Sequence, residues 1–210
     1  MKSATFDRFA GWCAILTGVA GFCYAVAFII IARSDPALGG LLSALFLTLV
    51  GLFTSAVMIG VYDRLRETDP YFALWALLLG TIAALASATH GGYDLANAIH
   101  PSAAATVSAA ADVPSQIDPR GLLTFGVAGV ALFVVAWLIR RGGQFPGGLG
   151  SLGYLSAILL ITLYLARLIV LSPASLIILV PALLNGFIVN PIWYVWLGLA
   201  LLRRPGEEKV

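Results

Sequence analysis

The chain has 210 residues, of which 60% are apolar and 10% charged, against roughly 45–50% and 25% in a soluble domain. With a mean hydropathy of +0.98, too little polar surface remains to cover a water-soluble protein of this size. A soluble enzyme, a secreted disulfide scaffold and a disordered tail are excluded, and a net charge of +2 gives no footing for a nucleic-acid partner.

The expected fold class is therefore all-α, a polytopic membrane protein built as a single bundle of six transmembrane helices with both termini cytoplasmic. Apolar runs of 18 or more residues can cross a hydrocarbon core about 30 Å thick. Such runs fall at 9–32, 38–62, 72–98, 121–139, 149–171 and 174–202. None alternates as a barrel strand would.

In the first run, Cys13 and Cys23 lie about 15 Å apart along a helix, too far to bridge, and read as buried apolar thiols. Lys2 and Arg8 ahead of an Ala25-Val26-Ala27 pattern also fit a cleaved signal peptide. The run continues through Phe28 to Ala32, and its loss would leave five spans, so a retained span is expected. The second run is bounded by Asp35-Pro36 and by Asp63 through Pro70.

The third run holds most of the polar chemistry. Ser87, His90, Asp94 and Asn97, spaced three, four and three, share one helical face. Gly80, Ala84, Ala88 and Gly92 form a small-residue stripe on which another helix can pack closely, and Ala83, Ser87 and Gly91 widen it. This helix is expected to be central. The loop at 99–120, rich in Ala and Ser, is expected to face outward as a linker, with a lid as the alternative; His100 reads as a loop residue.

The fourth run ends at Arg140-Arg141, and the fifth carries Arg167. The last, at 29 residues, would be about 44 Å long as a helix. Pro181 and Pro191 interrupt it, leaving either one tilted, kinked helix or a short outer segment before a span. Asn190-Pro191 reads as a helix distortion whose freed carbonyls are an alternative ion site.

Charge orients the whole. Lys2, Arg8, Arg64, Arg66, Arg140, Arg141, Arg203, Arg204 and Lys209 make nine of the twelve basic residues and fall on the side that holds both termini. Only Arg33, Arg120 and Arg167 fall elsewhere, and the basic side is the cytoplasmic one. Trp12, Tyr62, Tyr71, Trp75 and Trp137 cluster near the same inner ends, as an interfacial belt does.

Depth then brings the polar residues together. Along their helices Asp94 stands about 33 Å from the inner end, His90 and Arg167 about 27 Å, and Asn185 about 25 Å. Ser87, His90, Asp94, Asn97, Arg167 and Asn185 are thus the candidate ligand or proton pocket, with the third and fifth helices adjacent and Asp94 paired to Arg167. Unpaired, each charge is expensive in hydrocarbon. The alternatives are a snorkelling Arg167, and Asp94 and Asn97 at a wet helix end. No phosphate-loop, zinc, nucleophile-elbow or Cys-x-x-Cys motif is present, and no catalytic residue, metal or cofactor is expected.

The segments Arg8-Phe9-Ala10-Gly11-Trp12, Leu149-Gly150-Ser151-Leu152-Gly153-Tyr154 and Asn190-Pro191-Ile192-Trp193-Tyr194-Val195-Trp196-Leu197-Gly198 resemble recurring elements of uncharacterised bacterial multi-span membrane families of unknown function. That resemblance implies a bacterial inner-membrane location. The expected role is a non-catalytic binding or accessory subunit of a membrane complex. Its partners would be the lipid bilayer and either other membrane subunits or further copies of the chain. A small-solute or proton-coupled carrier and an intramembrane enzyme are the alternatives.

Overall fold

The computed structural model describes residues 4–100, 117–170 and 175–203. Among them there is no strand, and six helices are long and apolar enough to cross a membrane. They are α1 (Thr5–Ser34), α2 (Pro36–Leu65), α3 (Pro70–Ile99), α4 (Pro119–Gly142), α5 (Gly147–Ile169) and α6 (Leu176–Leu202). Each starts and ends within a few residues of its apolar run. The protein is a multi-pass membrane protein, and α6 is one continuous helix, not a segment plus a span. Most of the loop expected at 99–120 lies outside the described residues.

Three helices start at an Asp-Pro pair, because proline is preset for the first helical turn and the aspartate accepts its unpaired amides. Asp35 accepts from the Leu38 amide at 3.0 Å. Asp69 accepts from Tyr71 and Phe72 at 3.2 and 3.1 Å. Asp118 does the same work for α4 at longer reach, accepting from Leu123 at 2.8 Å and Thr124 at 2.9 Å.

The helices pack in sequence order, α1 on α2, α2 on α3 and so on to α6, which returns to α1. The result is a closed ring of antiparallel neighbours. The third and fifth helices are therefore not adjacent as expected: α4 lies between them. Large apolar side chains such as Phe9, Leu52, Leu78, Ile158 and Leu199 point outward, where hydrocarbon solvates them. Trp12, Tyr71 and Trp75 are exposed at the basic end.

Lipid gives no hydrophobic drive between helices, so small residues and polar contacts must hold the seams. A Cβ on Gly51 would fall on the Ala84 carbonyl and the Ala88 amide, and one on Gly91 would strike Ala44 and Thr48 of α2. Gly80 receives the Met58 side chain, whereas Gly92 meets nothing within 4 Å. The stripe is thus the α2–α3 seam along most of its length. Across the α1–α6 seam, Gly198 and Gly11 approach backbone to backbone.

The two halves of the ring differ. At the basic end the axis is filled by Leu65, Leu138, Ile139, Leu149, Leu197 and Leu201, all nearly inaccessible. Arg64 is buried there as well. It donates to the Ala200, Leu201 and Arg203 carbonyls at 3.0, 2.8 and 3.2 Å, lies 3.8 Å from Asp7 and stacks on Phe145. A cation on the last carbonyls of a helix satisfies groups that the helix itself cannot, so Arg64 ties α1, α2 and α6 together. Cys13 is buried in this half and Cys23 half-buried, both as free thiols.

Replacing Gly51 with Leu should lower stability in detergent by about 1–3 kcal/mol, since the seam cannot accept the volume without separating. Gly40, which meets nothing within 4 Å, should accept Leu within about 0.5 kcal/mol. Thermal unfolding of the two variants checks the contrast; equal effects would mean the α2–α3 seam is not close-packed.

Candidate functional site

Away from the basic end the ring is hollow. A cavity of about 830 Å³, lined by residues from all six helices, runs from Arg33, Arg120 and Arg167 at the rim far from the basic end to Val61, Val135 and Trp193 at its floor. That volume lies within the roughly 300–1,000 Å³ of small-molecule sites. Along α4 the distance from Arg120 to Val135 is about 22 Å. The floor is rigid: Trp193 is buried and its indole N–H donates to the Leu149 carbonyl at 3.1 Å, which fixes the ring across the α5–α6 seam.

Local helix geometry opens the walls. In three stretches, Val26–Ile31, Leu122–Val127 and Asn185–Val189, the helix widens to i→i+5 bonding. The Ala32, Ala128 and Asn190 amides accordingly reach back to the Ala27, Leu123 and Asn185 carbonyls. Wide turns of this kind cost helix regularity and concentrate at functional sites. All three contribute lining residues, among them Ile29, Thr124 and Asn185. The third sits just before Pro191, whose ring cannot continue regular bonding and clashes with the turn before it.

At the start of α4, Arg120 has φ +57 and Gly121 φ +79. Arg120 is the one non-glycine residue with positive φ among the described residues. The left-handed region disfavours a side chain, so the turn must be held from outside. Asp118, 1% exposed, holds it by its two bonds to the Leu123 and Thr124 amides. The consequence is that Arg120 faces the cavity.

Of the sequence-derived candidates, Ser87, Arg167 and Asn185 line the cavity. Asn185 is buried, and its side-chain oxygen accepts from the Ser156 hydroxyl at 2.8 Å. His90, Asp94 and Asn97 do not line it. His90 Nε2 lies 3.3 Å from an Asp94 carboxylate oxygen, a same-helix pair on α3 that is ionic when the imidazole is protonated.

The expected pairing of Asp94 with Arg167 is not formed, because α4 separates their helices. Arg167 instead lies over the Phe125 ring, 5.5 Å from its centroid. Tyr24 of α1 stands within electrostatic reach of both charges. Sequence spacing gave the depth of these groups but not their azimuth around the ring.

Several lining residues escaped the sequence analysis. Arg33 and Arg120 were counted only as exceptions to the charge rule, and Thr124, Tyr24 and Trp193 carried no signal beyond their polarity inside apolar runs. The Thr124 hydroxyl is buried and has no hydrogen-bond partner. Among the described residues no group of His, Cys, Asp and Glu is placed to hold a metal.

No family model, curated protein or solved structure matches the chain.

Two stability measurements check this geometry. Asp94→Asn and Arg167→Gln should be additive within about 0.3–0.5 kcal/mol, since the residues do not touch; strong coupling would mean they pair. Ser156→Ala should cost about 1–3 kcal/mol, because it leaves the buried Asn185 oxygen without its donor.

Proposed function

We propose that the protein is a non-catalytic binding protein of the membrane, which takes a small, largely apolar molecule into the outer half of its ring. The observation that carries this reading is the 830 Å³ cavity, walled by all six helices and stopped at one end by packed side chains. A protein selected only to span a bilayer gains nothing from such a void, since each unfilled volume sacrifices packing contacts. The accessory-subunit reading has no comparable feature among the described residues to rest on.

The proton-coupled form of the carrier reading and the intramembrane-enzyme reading both put His90 and Asp94 in the pocket, and neither residue lines it. A carrier would further require the plug around Leu138 and Leu197 to open. We take the membrane to be the bacterial inner membrane, supported by the resemblance of three short segments to bacterial multi-span families. The basic end, with both termini, is then cytoplasmic, and the cavity opens outward.

Mass spectrometry of solvent extracts from the purified protein tests the reading. Wild type should release a co-purifying small molecule at near-stoichiometric yield. Ala128→Trp, which fills the cavity from α4, should lose it, whereas Val130→Trp on the exposed side of the same helix should retain it. Equal loading of the two variants would overturn the proposal, as would co-purification of a stoichiometric partner subunit with no small molecule.

A further inference from the structure

The rim of the cavity narrows the chemistry of its occupant. Accepting the binding reading above, we infer that the molecule is an amphipathic anion, with a carboxylate or phosphate head held by Arg33, Arg120 and Arg167 and a hydrocarbon tail in the apolar shaft.

The sequence shows why the three arginines need explaining. They are the basic residues that break the cytoplasmic bias, and charge on the outer side is not needed for orientation. The ring brings all three to one opening from different helices: Arg33 from the outer end of α1, Arg120 from the start of α4 and Arg167 from the outer end of α5.

No aspartate or glutamate is among the lining residues. Arg33 and Arg167 form no ion pair among the described residues. Guanidinium groups at a low-dielectric mouth favour an anion strongly, and their planar forks match the two oxygens of a carboxylate or phosphate.

Two local features hold the cluster in place. Arg167 is seated on the Phe125 ring, a cation–π contact that positions its head at the rim. Arg120 is presented by the left-handed turn that Asp118 braces. Strain of that kind persists only where surrounding bonds maintain it, and it concentrates at ligand clamps.

Below the rim the walls are mostly apolar, through Phe28, Leu132, Leu163 and Leu179 to the Trp193 floor, with Thr54, Ser87 and Asn185 as separate polar groups among them. The cavity thus has a cationic mouth for an anionic head and a mostly apolar shaft for a hydrocarbon tail.

The test compares palmitate with hexadecanol, probes that share a chain and differ in the head, by direct binding to the purified protein in neutral detergent at pH 8. Palmitate should bind at least about ten-fold tighter than hexadecanol, the effect of one or more charge-assisted hydrogen bonds. Arg33→Gln and Arg167→Gln should each remove about that factor for palmitate and leave hexadecanol unchanged, while Arg167→Lys should keep part of it.

Competition by dipalmitoyl phosphatidylglycerol, with the phosphatidylcholine analogue as control, distinguishes a two-chain bilayer lipid from a free single-chain acid. Arginine-dependent displacement by phosphatidylglycerol supports the acidic class with the lipid as its source; palmitate binding that it cannot displace supports the class with the free acid. Equal affinities for palmitate and hexadecanol, both lost in Ala128→Trp, would overturn the anionic head and leave the cavity reading standing. Binding of every probe unchanged in Ala128→Trp would overturn the cavity reading itself.

Discussion

Backbone-to-backbone approach at small residues is the constraint from which the rest of the architecture follows. Helices in lipid attract one another only through packing and polar contact. A ring of six therefore closes only if neighbours come close enough to exchange dispersion contacts along their length. Gly11 against Gly198, Gly51 against Ala84 and Ala88, and Gly150 against the Ala136 carbonyl supply that closeness on three seams. Because the seams are held by backbone contact, the side chains that point to the axis are free to fill it or to leave it open. At the basic end leucines and isoleucines fill it. At the other end smaller residues and three widened turns leave it open.

The distribution of arginine follows the same division. Arg64 is spent on structure: its guanidinium is consumed by three carbonyls of the α6 terminus and by Asp7. It closes the packed end where the sequence alone suggested only an orientation signal. Arg66 pairs with Asp63 at 2.8 Å, and Arg141 sits over Trp137, both as interfacial anchors. The three arginines of the open end line a cavity. One residue type thus serves as a helix cap, a membrane anchor and a rim, and only the surroundings distinguish the roles.

Much of the fold was legible in the sequence because hydropathy and punctuation act locally. The six runs, the Asp-Pro breaks at Asp35-Pro36 and Asp69-Pro70, and the small-residue stripe of α3 each follow from neighbours within a turn or two. Ring order is a long-range property, so the depths of Asp94 and Arg167 were readable while their separation by α4 was not. The hollow was invisible for a related reason: widened turns at 26–31 and 122–127 occur in plainly apolar sequence with no proline inside them. Of the candidate site, Ser87, Arg167 and Asn185 line the cavity, and His90, Asp94 and Asn97 do not. Arg33 and Arg120 were noticed only as residues that broke a rule, and that irregularity was the available clue to the rim.

The central claim is that the ring is packed at its basic end and occupied at its other end. An experimental density map of the protein in a lipid environment tests it most directly. The account predicts an elongated non-protein feature on the ring axis, with one end beside Arg33, Arg120 and Arg167 and the other above Trp193. A ring collapsed onto its axis, with α1 and α4 side chains meeting where Tyr24 and Ala128 now face the cavity, would contradict it.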